Sequence, residues 1–343
     1  MSKISQLKWN VAFISFFLSL PTNLILIYLV IQKSPPKLGN YRHLMVYFSI
    51  LSMTLAAMNC VTQVYILSDD RFVLIMDIKD TIFENHPNVA FFVLALNCGF
   101  FEATIFVISI NFIFRYFALE RQGRLKYFHG KLLYLWMGAP FFFGAIAMAC
   151  TYYLGPRDLV TERLRADVKT LYDLDIDRTV YTGCFYFNLD QFGGKVLNFK
   201  EIPSVLVINS MTFVSFFSTF FFGFKCYKIV KGLIAQGESE YSRNLQTQLY
   251  KALVVQTLIP VFFMFIPVIL YFISPYIGID NHHAGLLIPF FCQLYPALDP
   301  IPIIFLIDDY RNAFLNFFRR VLSKNQLAPV EAYEPNQDSL APG

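Results

Sequence analysis

The chain has 343 residues, of which 56% are hydrophobic and only 15% charged. A soluble domain carries about a quarter charged residues, so the composition excludes an ordinary soluble enzyme or binding module. The formal charge of +4 sits in short flanks between apolar runs; it suits an anionic inner leaflet and not a nucleic acid.

A membrane-spanning helix needs about 20 mostly apolar residues. Seven runs meet that length: Val11–Ile31, Leu44–Ile66, Val89–Phe114, Leu132–Tyr152, Ile202–Phe224, Ala252–Ile273 and Ala284–Ile307. The expected fold is therefore all-α, a seven-transmembrane bundle filling residues 1–322. Every Lys and Arg falls outside the runs, and Glu102 and Asp299 are the acids inside them. A wrong division would strand basic residues in hydrocarbon at a cost of about 2.5–3.5 kcal/mol each.

The first run follows Lys3 and Lys8 and could pass for a signal peptide. Its length and its interruption by Pro21 and Asn23 favour an uncleaved helix. Lys33, Lys37 and Arg42 flank the first loop, and Arg121, Arg124, Lys126 and Lys131 lie in the third. Lys225, Lys228, Lys231, Arg243 and Lys251 flank the fifth, and Arg311, Arg319, Arg320 and Lys324 follow the last run. The other side has fewer bases, mixed with Asp69, Asp70, Asp77, Asp80 and Glu84. The bias places the N-terminus outside and the plasma membrane around the bundle.

In the third run Cys98, Glu102 and Ser109 share one face at 100° per residue. Two readings of Glu102 stand. It is a pocket acid, or a protonated carboxyl holding a neighbouring helix. Asn97, Asn209 and Gln293 join it as candidate ligand contacts. Just past the run stands Arg115-Tyr116, which serves as a snorkelling anchor or as a switch. Pro260 and Pro267 lie seven apart in the sixth run, so each kinks a helix able to swing its inner end. The seventh run carries Pro296, Asp299, Pro300 and Pro302 near its inner end. The segment between Tyr153 and Glu201 is expected as one long outer loop.

Beyond the seventh run, residues 308–320 place Tyr310, Phe314, Phe317 and Phe318 at i, i+4, i+7 and i+8. That is an amphipathic helix lying in the inner interface. Residues 323–343 are polar with scattered Pro and read as a disordered tail.

Several function classes lack their residues. No His lies within any run, which excludes a buried zinc site, and no positioned base accompanies an intramembrane nucleophile. The seventh run has no Lys to hold retinal. Two intramembrane acids and no internal repeat speak against an ion-driven transporter. No cofactor or metal is expected, and no enzymatic activity.

Leu298-Asp299-Pro300 with Asp309-Tyr310-Arg311 resembles the end of helix seven in nematode Str-type chemoreceptors and the related Srj family. Residues Lys33 to Tyr41 with Leu44-Met45 resemble their first loop, Phe114-Arg115-Tyr116-Phe117 their helix-three end, and Gln256 to Pro260 with Ile266-Pro267 their helix six. The resemblance implies a G-protein-coupled receptor with a helix 8, sited in the sensory cilia of chemosensory neurons. It binds a small odorant or pheromone and couples to a cytoplasmic heterotrimeric G protein. By analogy with rhodopsin-like receptors, Arg115 with Tyr116 forms the coupling switch, and Asp299-Pro300 stands for the Asn-Pro of helix seven. Phe114 occupies the position of the acid that restrains the Arg, and Ile303 that of a Tyr. The same analogy ties the long outer loop to helix three through Cys184, with Cys98 as partner and Cys150 and Cys60 as rivals. The competing reading is an odorant-gated cation channel subunit of seven spans with its N-terminus inside.

Overall fold

The computed structural model describes residues 3–34, 39–68, 71–120, 124–156, 158–189, 195–233, 240–270 and 282–325. Among the described residues, seven helices are long and apolar enough to cross a membrane. They are α1 (Lys3–Lys33), α2 (Tyr41–Thr62), α3 (Pro87–Glu120), α4 (Lys131–Tyr153) and, after an intervening α5, α6 (Ile202–Leu233). The sixth crossing is α7 (Glu240–Pro260) continued to Leu270. The seventh is α8 (His282–Leu298) with its short continuation α9 (Ile301–Leu306). The apolar runs set each crossing, but most helices extend past them into charged flanks, because nothing in those flanks breaks a helix.

The second crossing is the exception. Gln63 adopts a left-handed backbone (φ 42°) and ends α2 at Thr62, so residues 63–66 are not helical as the hydropathy of that run suggested. From there the chain forms β1 (Tyr65–Ser68) and β2 (Arg71–Asp77), an antiparallel hairpin with Tyr65 opposite Ile75. Lys8 of α1 lies over the Tyr65 ring and donates to the Gln63 carbonyl.

The segment between α4 and α6 is not a plain loop. It holds α5 (Asp158–Tyr172), β3 (Thr179–Phe185), β4 (Phe187–Leu189) and β5 (Lys195–Leu197). β3 pairs antiparallel with β2, giving a three-stranded sheet in the order β1-β2-β3. Strand residues alternate between two faces. Val73 and Ile75 pack against Leu164, Val168 and Tyr172 of α5, while Phe72 and Leu74 turn toward the bundle. The Arg71–Asp167 ion pair (2.6 Å) fastens the hairpin to α5.

α3 is the central post of the bundle. More than half of its apolar window (56%) is buried, against 17% for α4. α3 and α4 meet backbone to backbone at Gly99 and Gly144, where a Cβ on Gly144 would stand 2.6 Å from the Gly99 carbonyl oxygen. Small residues permit such close approach, and in lipid the packing itself drives the association.

The prolines leave carbonyls without their usual N–H donors, and neighbouring helices supply replacements. Pro300 cannot donate to the Pro296 carbonyl. Asn23 Nδ2 (3.0 Å) and Ser19 Oγ (3.2 Å) of α1 do so instead. Pro267 cannot donate to the Phe263 carbonyl, which receives the Cys292 thiol of α8 at 3.7 Å. Pro260 ends the regular α7, and Val261–Phe265 form a π turn rather than a simple kink. α8 likewise stops at Leu298 and restarts at Ile301 beyond Asp299-Pro300.

α10 (Asp308–Asn325) runs past the expected end at residue 320, so residues 323–325 belong to a helix and not to the tail. Tyr310 is fully buried and shares a hydrogen bond with Ser34 (2.7 Å), and Phe314 meets the Phe305 ring edge-on. Phe317 of the same stripe is exposed. Residues 35–38 of the first-loop motif, 271–273 of the sixth run, and the chain beyond 325 lie outside the described residues.

Candidate ligand pocket and switch

A cavity of about 140 Å³ lies between α3, α6, α7 and α8 at the sheet-bearing end of the bundle. Its polar wall includes Asn59 of α2, Asn97 and Glu102 of α3, Thr151 of α4, Thr212 of α6, and Gln293 of α8. Phe101, Ile208, Val268 and Ile288 supply apolar wall, and Phe72 and Leu74 of the hairpin cover it. The hairpin is thus part of the site, although the sequence reading assigned its first residues to a helix.

Three of the four expected ligand contacts come together here. Asn97, Glu102 and Gln293 are buried and line one cavity. Asn209 does not join them. Ile208 and Thr212 point inward, and Asn209 is rotated about 60–100° off that line at 100° per residue. Thr212 is the α6 residue missed in its place. It donates to Glu102 Oε2 at 3.1 Å. Glu102 thus lines the cavity and also accepts a hydrogen bond from a neighbouring helix, the two contacts on which its two readings turn. Asn97 Nδ2 donates to Thr62 Oγ1 at 3.0 Å, fixing the α2–α3 contact beside the cavity.

No disulfide joins Cys98 to Cys184, and neither Cys150 nor Cys60 forms one. Cys98 sits in the cavity wall, more than two turns into α3. Cys184 is held in β3 opposite Phe72 and buried among Leu154, Tyr186 and Val205. Strand register and helix depth keep the pair apart.

Of the expected switch residues, Arg115, Tyr116, Asp299 and Pro300 lie away from the cavity toward the opposite end, while Pro267 adjoins Val268 of the cavity wall. Asp299 accepts a hydrogen bond from Gln256 Nε2 at 3.0 Å, and Asp308 accepts one from Gln248 Nε2 at 2.5 Å. Two glutamines, two turns apart on α7, thus clamp the sixth crossing to the break in the seventh and to the start of α10. Tyr295, Asn111 and Ser52 border a gap of about 20 Å³ beside Asp299. Arg115 is buried under the Tyr41 ring (5.1 Å from its centroid), and the Tyr41 hydroxyl donates to Asn111 Oδ1 at 2.9 Å. Arg115 Nε and Nη2 have no hydrogen-bond partner among the described residues. With Phe114 in place of an acid, an aromatic face holds the guanidinium by a cation–π contact. Tyr116 turns aside, its hydroxyl on Glu120 Oε1 (2.6 Å) and its ring against Phe222. The sequence reading placed Gln256 and Tyr41 in motifs without giving them a role and did not single out Gln248. An amide or a phenol inside or beside an apolar run does not say what it faces.

Residues 8–315 match the family model described as serpentine type 7TM GPCR chemoreceptor Str. The chain belongs to the Str family of serpentine chemoreceptors. It is 30% identical over 312 residues to the Caenorhabditis elegans G-protein coupled receptor str-217, covering 88% of this chain and 86% of that one. It is 29% identical to the C. elegans serpentine receptor class r-10, covering 82% of each. Among solved structures, squid rhodopsin superposes with a TM-score of 0.59 at 12% identity, over 98% of this chain and 90% of that one. That likeness fixes the fold as the seven-helix receptor bundle. The chain is therefore a multi-pass membrane receptor of chemosensory type.

Proposed function

We propose that this receptor binds a small, mostly apolar ligand in the cavity beneath the β1–β2 hairpin and signals through a heterotrimeric G protein. The observation that carries the reading is the cavity itself. Its volume of about 140 Å³ is close to the ~150 Å³ of a protein cavity that holds one benzene. A ligand of volatile size fits that space. The Lys/Arg bias supports an orientation with the sheet and hairpin outside and α10 inside, and the family resemblance supports a place in the plasma membrane of a sensory cilium.

Signalling follows from one shared set of elements. Glu102 and Gln293 contact the cavity, and Asp299 lies less than two turns beyond Gln293 on the same broken helix. Cys292 also lines the cavity and holds the carbonyl freed by Pro267. A ligand that prefers one packing of α8 against the sixth crossing shifts the bundle toward that packing. Release of the Gln256–Asp299 and Gln248–Asp308 clamps then opens a groove beside Arg115 for the Gα subunit. The test is an odorant panel on cells expressing the chain, read by calcium with and without a Gα blocker. A response abolished by the blocker is expected. A fast cation current that persists under the blocker would establish the channel reading instead.

A further inference from the structure

The cavity wall has a chemical bias that size alone does not express. Asn97 Oδ1, Glu102 Oε1 and Gln293 Oε1 have no hydrogen-bond partner among the described residues. Their residues are only 6%, 2% and 4% exposed. All three atoms are acceptors. One wall donor, Asn59 Nδ2, is also buried without a partner, so the unmet groups of the wall stand at three acceptors to one donor. A buried acceptor left unmet carries its full desolvation penalty. The apolar part of the wall cannot relieve it, and among the described residues the wall contains no Lys or Arg to face Glu102.

Ligand classes differ in what they offer such a wall. A ketone, aldehyde or ester brings acceptors only. An alcohol brings a single donor. A protonated primary amine brings three N–H donors and a positive charge on one atom. Charge-assisted bonds are about twice as strong as neutral ones, and a buried carboxyl is best matched by a cation that bonds it directly. On the receptor reading above, we infer that the ligand is a small primary amine. Its ammonium sits among Asn97, Glu102 and Gln293, and its apolar tail rests against Phe101, Ile208 and Val268. Thr212 keeps Glu102 turned toward the cavity by occupying its other oxygen.

Hexylamine, 1-hexanol and 2-hexanone form a size-matched probe set for the purified full chain in lipid nanodiscs, with affinity read from ligand-dependent thermal stabilisation. Hexylamine is expected to bind at least tenfold more tightly than either neutral compound. Glu102→Gln, which keeps the side-chain size, is expected to remove that advantage, so that hexylamine and hexanol bind the variant within about twofold of each other. Hexylamine binding no tighter than hexanol overturns the inference, and so does an advantage that survives Glu102→Gln. The ligand comparison uses the unaltered chain, so a poorly folding variant does not weaken it. The same probes on cells separate the two levels. Tight hexylamine binding with no Gα-dependent calcium supports the amine site and sinks the G-protein reading. A Gα-dependent response to hexanone alone upholds the receptor and overturns the amine.

Discussion

Arg115 is the residue whose environment says most. A guanidinium so deeply buried normally has a carboxylate beside it, because an unpaired buried charge is expensive. Here a ring takes that place, with Tyr41 held by Asn111. The cation–π contact is worth about 2 kcal/mol when desolvated, less than a bonded ion pair in the same setting. The arrangement is a weak restraint on a group ready to meet a partner. Arg115→Ala removes a charge that the fold does not pair, so surface expression should stay near that of the unaltered chain. Gα-dependent signalling should fall to background in the same cells. Coupling that survives would remove Arg115 from the mechanism.

Among the helices, the decisive contact is the double clamp from α7 to Asp299 in the break of the seventh crossing and to Asp308 at the start of α10. Interhelical hydrogen bonds within membranes average about 0.6 kcal/mol, so two supply about 1.2 kcal/mol, a factor of about eight in a two-state balance. That is enough to hold a resting bundle and little enough for a ligand to overcome. Gln248→Ala combined with Gln256→Leu should therefore raise ligand-free signalling several-fold, measured as basal nucleotide exchange on Gα in membranes. Unchanged basal exchange would mean that the clamps do not hold the resting state. The hairpin works at the same scale. Its strand period sends Phe72 and Leu74 into the cavity and Val73 and Ile75 into the cap, so one short element closes the site and roots it on α5.

For the whole molecule, the open question of consequence is which end faces outward. The sheet-bearing end holds the mixed loops and the α10 end the dense bases, so the charge rule puts the N-terminus outside. An epitope tag before Met1 should bind antibody on intact cells, and a tag after Gly343 only once they are permeabilised. The reverse pattern would match the inverted topology of the channel reading and would move the proposed ligand cavity to the cytoplasmic side. The broken seventh crossing also belongs to this scale. Its carbonyl at Pro296 is satisfied from α1, so first and last crossings are joined near the middle of the bundle.

Hydropathy alone determined the seven crossings, and the residue pattern of the loop, helix-three and helix-seven motifs determined the family. Both signals are local, since a span needs only its own apolar length and a motif only its own neighbours. The interfacial helix was equally legible, because the spacing of Tyr310 and Phe314 is a property of one segment. The α2 boundary was not, since residues 63–66 are as apolar as the helix before them and only the pairing with β2 makes two of them a strand. Nor was the cap, whose faces are both buried and so hide the strand alternation. Asn97, Glu102 and Gln293 were legible as polar residues in apolar runs. Which of them meet, why Thr212 does and Asn209 does not, and why Cys98 stays apart from Cys184 depend on helix rotation and strand register. Packing sets those, because side-chain distances between helices arise only when the bundle closes.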